Sequence, residues 1–104
     1  LELNNDYLFE TPQYTMYTSG GLYNWHGDFG IGGDENSYQR AFTCVILLAD
    51  QDKDFTGGDF LVKDAAGNIV TSGAAKKGDA VFFTPTTLHK VGEILSGVRK
   101  SLVL

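Results

Sequence analysis

The sequence predicts an all-β domain, a sandwich, jelly roll or barrel, on three observations. Short runs of β-branched and aromatic residues recur along the chain. Thirteen glycines and the turn signal Thr84-Pro85-Thr86 punctuate them. No stretch of about 11 residues or more sustains the 3.6-residue period of a helix.

Strands are predicted over residues 13–18, 23–25, 40–48, 59–63, 68–71, 79–83, 89–92 and 99–104. Ser19-Gly20-Gly21, the glycine-rich stretch 27–36, the acidic loop 50–58 and residues 64–67 connect them. Ala65-Ala66-Gly67-Asn68 reads as a hairpin turn, because glycine and asparagine tolerate positive φ. About eight short strands at this spacing suit a two-sheet or barrel architecture. At 104 residues the chain supports one core, so residues 1–104 are expected to form a single domain. It opens on Leu1 and stops at Leu104 within an apolar alternation, which suggests that both ends are cut.

Two strands are apolar on both faces. In 40–48, Phe42, Cys44, Ile46 and Leu48 alternate with Thr43, Val45 and Leu47, and in 79–83 Ala80 and Phe82 oppose Val81 and Phe83. Such strands must be covered on both sides. One face can pack inside a sandwich, but the other needs a further layer.

Charge and composition exclude several classes. The net charge of −5 argues against a phosphate-backbone binder, which would need a basic face, so no nucleic-acid partner is expected. No apolar run approaches the roughly 20 residues of a membrane span, and no signal peptide opens the chain. A cytoplasmic protein without a membrane partner is the expectation. Cys44 is the only cysteine, and its apolar flanks point to a buried, inert thiol. The run Asp50-Gln51-Asp52-Lys53-Asp54 lacks the glycine and terminal glutamate of a calcium loop and reads as a solvated hairpin tip.

The chain has two histidines, His26 in His26-Gly27-Asp28 and His89 just after the proline turn. On an extended chain residues i and i+2 project to one side, so His26 and Asp28 can share an ion. Antiparallel pairing could bring His89 to the same point. Two imidazoles and a carboxylate on one side of an ion describe the facial triad of non-haem Fe(II) oxygenases. Either element alone recurs by chance, so the surrounding residues must carry the case.

Tyr17-Thr18-Ser19-Gly20-Gly21-Leu22-Tyr23-Asn24-Trp25-His26-Gly27-Asp28 fits Y-x-x-G-x-x-Y-x-x-H-x-D. Arg40-Ala41-Phe42-Thr43, Phe55-Thr56-Gly57-Gly58-Asp59-Phe60, Lys77-Gly78-Asp79-Ala80-Val81-Phe82-Phe83, His89-Lys90-Val91, Gly97 and Arg99 follow in order. From about residue 13 to its end, the sequence resembles the Fe(II)- and 2-oxoglutarate-dependent dioxygenases of the prolyl 4-hydroxylase type. The resemblance implies a double-stranded β-helix (a jelly roll) with the triad His26, Asp28 and His89 at one mouth. It implies Fe(II), 2-oxoglutarate as co-substrate and O2, with hydroxylation of a C–H bond and release of succinate and CO2.

Arg99, ten residues after His89, is then expected to grip the distal carboxylate of 2-oxoglutarate through paired hydrogen bonds. Ser101 shares its face, and Tyr17 and Thr43 match positions that help hold the same carboxylate in this family. The Arg99 position is lysine in many prolyl 4-hydroxylases and arginine in other branches, so proline itself is not implied. Candidate substrates are a peptidyl prolyl or other side chain, or a small metabolite. Tyr23 and Trp25 are expected to pack beside the metal strand, with Trp25 pointing away from His26.

A non-catalytic cupin-like binding domain would keep the metal but would be expected to lose Arg99 or the Tyr17 pattern, and this chain keeps both. A carbohydrate-binding or capsid-like jelly roll would need no triad. Family members usually carry helices on the larger sheet, contributed largely by N-terminal sequence. With only residues 1–13 ahead of the first strand, this helical layer is expected to be lacking. The outer sheet face is then either bare or covered by a second subunit in a homodimer.

Overall fold

The computed structural model describes residues 11–28 and 42–104, and these contain ten strands and no helix. They are β1 (Gln13–Tyr17), β2 (Tyr23–His26), β3 (Thr43–Leu47), β4 (Phe55–Gly57) and β5 (Phe60–Lys63), then β6 (Ile69–Thr71), β7 (Ala80–Phe83), β8 (His89–Val91), β9 (Ile94–Gly97) and β10 (Arg99–Val103). Arg40 and Ala41, at the start of a predicted strand, lie outside the described residues, as do most of the stretch 27–36 and residues 1–10.

Two four-stranded antiparallel sheets face each other, in the orders β1-β10-β3-β7 and β2-β8-β5-β6. Every neighbouring pair but β5-β6 joins strands distant in sequence, the wound connectivity of a jelly roll. Period-2 alternation decides what each sheet turns inward. β3 buries Thr43, Val45 and Leu47, and β10 buries Arg99 and Ser101. β8 turns in His89 and Val91 and leaves Lys90 half-buried. Val45, Leu47, Ala49, Phe55, Phe60, Phe83, Val91 and Ile94 form the core, with Tyr17, Val62, Val81 and Val103 packed against it.

The ribbon β4-β9 was not predicted, since three or four residues are too few to show alternation. β4 falls inside the stretch read as the acidic loop 50–58. The pairs Phe55↔Gly97 and Thr56↔Ser96 join the ribbon, and Phe55 and Ile94 are 2% and 1% exposed. Its glycines answer to sterics. Gly58 has φ +66°, and a Cβ there would overlap Ile94 Cδ1. Gly97 has φ +79°, and a Cβ there would overlap the Asp54 carbonyl.

Local polar contacts close the turns. At the tip of the loop after β3, the Asp54 carboxylate accepts from Asp50 N at 2.7 Å, and Asp50 accepts from Lys77 N at 2.7 Å. In the β5–β6 hairpin, Asp64 accepts from Ala66 N at 3.0 Å and Asn68 N at 2.9 Å, with Gly67 at φ +85°. Cys44 is a buried free thiol, and burial raises its pKa, as expected of an inert cysteine.

The outer face of the sheet β1-β10-β3-β7 is mostly apolar among the described residues, with Lys100 exposed and Cys44 buried on it. Tyr14, Met16, Phe82 and Leu104 are 56%, 57%, 67% and 43% exposed, while Ile46 and Leu102 are half-buried. Replacing Phe82 with serine should leave the unfolding midpoint nearly unchanged, since an exposed side chain contributes within about 0.5 kcal/mol. Sedimentation velocity at rising concentration then reads whether this face takes part in any association between copies, which the substitution would reduce. A lowered midpoint with unchanged association would mean that Phe82 belongs to a packed layer instead.

Candidate metal centre and anion pocket

The pairing of β2 with β8 sets the site. Tyr23 faces Val91 and His26 faces His89, so β2 spends one more residue than β8 between the two pairs. This bulge lets Tyr23 and His26, three apart, look into the same cavity, where strict alternation would put them on opposite faces. Tyr23 lies over the His26 ring with centroids 3.7 Å apart. The expected packing role thus holds, although Tyr23 is 49% exposed. Trp25 projects the other way, beneath Lys63 Nζ at 4.7 Å and Lys90 Nζ at 5.5 Å.

His26, Asp28 and His89 converge. Their nearest donor atoms all lie within 4.8 Å of one another. Asp28 Oδ1 is 3.7 Å from His26 Nε2, and Asp28 Oδ2 is 3.4 Å from His89 Nε2. Asp28 N donates to Pro85 O at 2.9 Å, which ties the carboxylate to the turn that leads into His89. That turn is closed by Thr87 N donating to Thr84 O at 3.0 Å.

Both imidazoles are held in one tautomer by the backbone. His26 Nδ1 lies 2.7 Å from Asn24 O, and His89 Nδ1 lies 3.0 Å from Thr87 O. A carbonyl only accepts, so each Nδ1 carries the hydrogen and each Nε2 lone pair turns toward the shared point. Phe83 and Phe60 flank the His89 ring at 4.4 and 5.8 Å. Burial among them pushes the His89 pKa down, against upward pulls from the Thr87 carbonyl and Asp28.

The same cavity, about 250 Å³, extends to a buried cation. Arg99 is 3% exposed, its guanidinium carbon 5.8 Å from the Phe60 ring and 6.0 Å from the Tyr17 ring. No carboxylate among the described residues pairs with it. Burial lowers its pKa, yet a guanidinium stays charged, so the cavity holds a desolvated positive charge that lacks a protein counter-ion there. Its hydrogen-bond partner is Ser101 Oγ at 3.4 Å. The Tyr17 hydroxyl is pushed up by burial and drawn back by Arg99.

The structure therefore places Tyr17, Arg99 and Ser101 on one wall and the triad on the other. Thr43 departs from expectation. Ser101 faces Leu47, four residues along β3 from Thr43, so antiparallel register puts Thr43 far from Arg99. It pairs instead with Phe83, at the end where that ring packs His89. Its Oγ1 is buried without a hydrogen-bond partner. Sequence reasoning also missed Gln13, Thr15 and Phe60 on the cavity wall. Period-2 alternation back from Tyr17 could have found the first two.

A family model described as the 2OG-Fe(II) oxygenase superfamily matches residues 12–104. The chain belongs to this family. It is 33% identical over 91 residues to a PKHD-type hydroxylase of Stutzerimonas stutzeri, covering 85% of this chain and 39% of that protein. It is 34% identical over 92 residues to one of Caulobacter vibrioides, covering 86% and 39%. A crystal structure of a 2OG-Fe(II) oxygenase family oxidoreductase from Burkholderia pseudomallei shares the fold, with TM-score 0.66 at 20% identity over 88% of this chain and 39% of that one. The chain thus spans about two fifths of the length of the curated relatives it matches. Family membership brings Fe(II) and 2-oxoglutarate as the expected ligands, and the His-Asp-His cluster can hold a metal ion.

One consequence of the burial concerns pH. The folded His89 pKa lies below the ordinary 6.5, so between those values the unfolded chain binds more protons than the folded one. In the metal-free protein this contribution to stability is complete above 6.5 and declines as pH falls toward the folded pKa. Denaturant titrations from pH 8 to pH 5 should show that decline, and His89→Phe should flatten it. An unchanged slope in the variant would count against His89 as its source.

Proposed function

We propose that this chain is the catalytic core of an Fe(II)- and 2-oxoglutarate-dependent dioxygenase that hydroxylates a peptidyl side chain or a small molecule. The observation that carries the proposal is Arg99, a buried cation without a carboxylate partner among the described residues, facing the same cavity as the His26, Asp28 and His89 cluster. A structural arginine would bring its own counter-ion. One waiting beside a metal-ligand cluster suits an acid that binds at both places.

The donor set fits ferrous iron. Two imidazole nitrogens and one carboxylate, from His26, His89 and Asp28, would hold the ion and would leave it room for further ligands. When bound, iron supplies the chemistry that converts 2-oxoglutarate and O2 to succinate and CO2 as a substrate C–H becomes C–OH. The protein's part is to bind and orient. His26 and His89 present fixed Nε2 lone pairs, the backbone bonds at Nδ1 keep the rings from turning, and Asp28 is held against the Pro85 turn. Arg99, with Ser101 and Tyr17 beside it, would take the distal carboxylate, and Val45, Phe60, Val91 and Val103 exclude water along the carbon chain. A role for Thr43 at that carboxylate is not part of the proposal.

The relatives are named PKHD-type hydroxylases, which favours a hydroxylation but does not choose between a prolyl group, another side chain and a metabolite. A cytoplasmic setting is proposed with it, since ferrous iron and the free thiol of Cys44 both persist best in a reducing medium. The test is 2-oxoglutarate turnover and succinate release by the intact protein across a panel of prolyl peptides, other peptides and small acids. Asp28→Ala should lose iron. Arg99→Ala should keep iron and weaken 2-oxoglutarate binding about 100-fold, because it removes a charged hydrogen-bonding partner. Undiminished co-substrate binding by Arg99→Ala would refute the assigned role.

A further inference from the structure

The inner faces of β1 and β10 carry a run of hydrogen bonds that ends on Arg99. Tyr17 pairs with Arg99 and Thr15 with Ser101, so alternation turns Thr15, Tyr17, Arg99 and Ser101 to the same side. Thr15 Oγ1 lies 2.5 Å from Ser101 Oγ and 3.4 Å from the Ser101 carbonyl oxygen. Arg99 Nη1 lies 3.4 Å from Ser101 Oγ.

The arrangement that satisfies every donor gives this run a direction. A guanidinium only donates, so the Ser101 oxygen must accept from it. That oxygen's second lone pair could also accept from Thr15, but the Ser101 hydroxyl hydrogen itself needs an acceptor, and Thr15 Oγ1 is its nearest partner. The Thr15 hydrogen is left for the Ser101 carbonyl, which only accepts. Each hydroxyl thus has one orientation in which every group is satisfied. Thr15 is half-buried and Ser101 fully buried, and beside a buried cation that order matters, because a hydroxyl turned the other way would aim its hydrogen at the guanidinium.

We infer that Thr15 is a positioning residue for the anion pocket, holding the Ser101 hydroxyl so that its oxygen faces Arg99 and fixes the guanidinium plane. This inference rests on the function proposed above, with Arg99 as the anchor of the co-substrate's distal carboxylate. It assigns a role to a residue outside the motif matches and makes the anchor a three-residue unit, Arg99, Ser101 and Thr15. Tyr17 closes the other side, with its ring 6.0 Å from the guanidinium carbon. The unit acts on the carboxylate end of a 2-oxo acid and not on its chelating end, which faces the other sheet.

The test compares 2-oxoglutarate with 2-oxovalerate, which has the same carbon chain without the distal carboxylate. Binding of each is measured by calorimetry on the intact protein loaded with Mn(II) in the absence of O2. Thr15→Val keeps the shape and removes the hydroxyl, and should weaken 2-oxoglutarate about tenfold while leaving 2-oxovalerate unchanged. Thr15→Ser restores the hydroxyl and should return 2-oxoglutarate to within about threefold of the parent. Equal losses for both acids would show general damage to the pocket and overturn the inference. So would a Thr15→Val variant that binds 2-oxoglutarate as tightly as the parent while Arg99→Ala does not, and the anchor would then stand without the relay. If Arg99→Ala also bound as the parent, both readings would fall together. Should Thr15→Val not fold, Ser101→Ala interrupts the same run from the other side and must show the same selectivity for the dicarboxylate.

Discussion

The site depends on one backbone pairing, that of β2 with β8. His26 and His89 are distant in sequence, and only the antiparallel match of these strands makes them neighbours, with ring centroids 4.1 Å apart. The bulge within β2 then lets Tyr23 join the same face, and the proline turn before β8 receives Asp28 through its amide. Because i and i+2 share a side of an extended chain, Asp28 needs no further element to reach its place. A register slip by one residue would turn His89 outward and Lys90 inward, so the cluster is as secure as the ladder that carries it.

The second constraint is electrostatic and opposes stability. A sandwich of this size has few interior positions, and it gives several of them to His89, Arg99, Ser101 and Thr43, all buried. An unpaired buried cation is costly, and a buried hydroxyl without a partner costs about 1–3 kcal/mol. The apolar part of the core offsets this. Phe55 and Ile94, on the ribbon β4-β9, are among its most completely buried side chains, and the ribbon's glycines are where a Cβ would collide. The ribbon contributes no residue to the cavity wall, and packing at its end of the sandwich leaves the other end for polar groups.

Much of this was legible in the sequence because strands report their faces directly. Alternation separated the two faces of β3, β7 and β10 without saying which turned inward, and the spacing His26-Gly27-Asp28 put two ligands on one side. His89 could be assigned to the same point only through the order of the surrounding motifs, since nothing local says which strand it pairs with. Beyond the missed wall residues Gln13, Thr15 and Phe60, three features escaped for physical reasons. The β2 bulge is a choice of backbone pairing with no residue type to mark it. The ribbon β4-β9 is too short for a period to show. Thr43 was misplaced because its distance from Arg40 says nothing about its height along the neighbouring strand, whereas the pairing of Ser101 with Leu47 fixes it.

The two ends of the cavity come from different sheets. The cluster lies on and beside β2 and β8 and the cation on β10, so the distance between them is set by how the sheets pack and not by any single strand. Phe60 stands between, with its ring 5.8 Å from the His89 ring and 5.8 Å from the Arg99 guanidinium carbon. A close-packed interior does not shrink or swell to suit a ligand. The spacing between cluster and cation is therefore a property of the core, held by Phe60 and the side chains it touches. Under the proposed function, selectivity for the length of a dicarboxylate would follow from the packing that stabilises the fold, and a smaller residue at Phe60 would relax both at once.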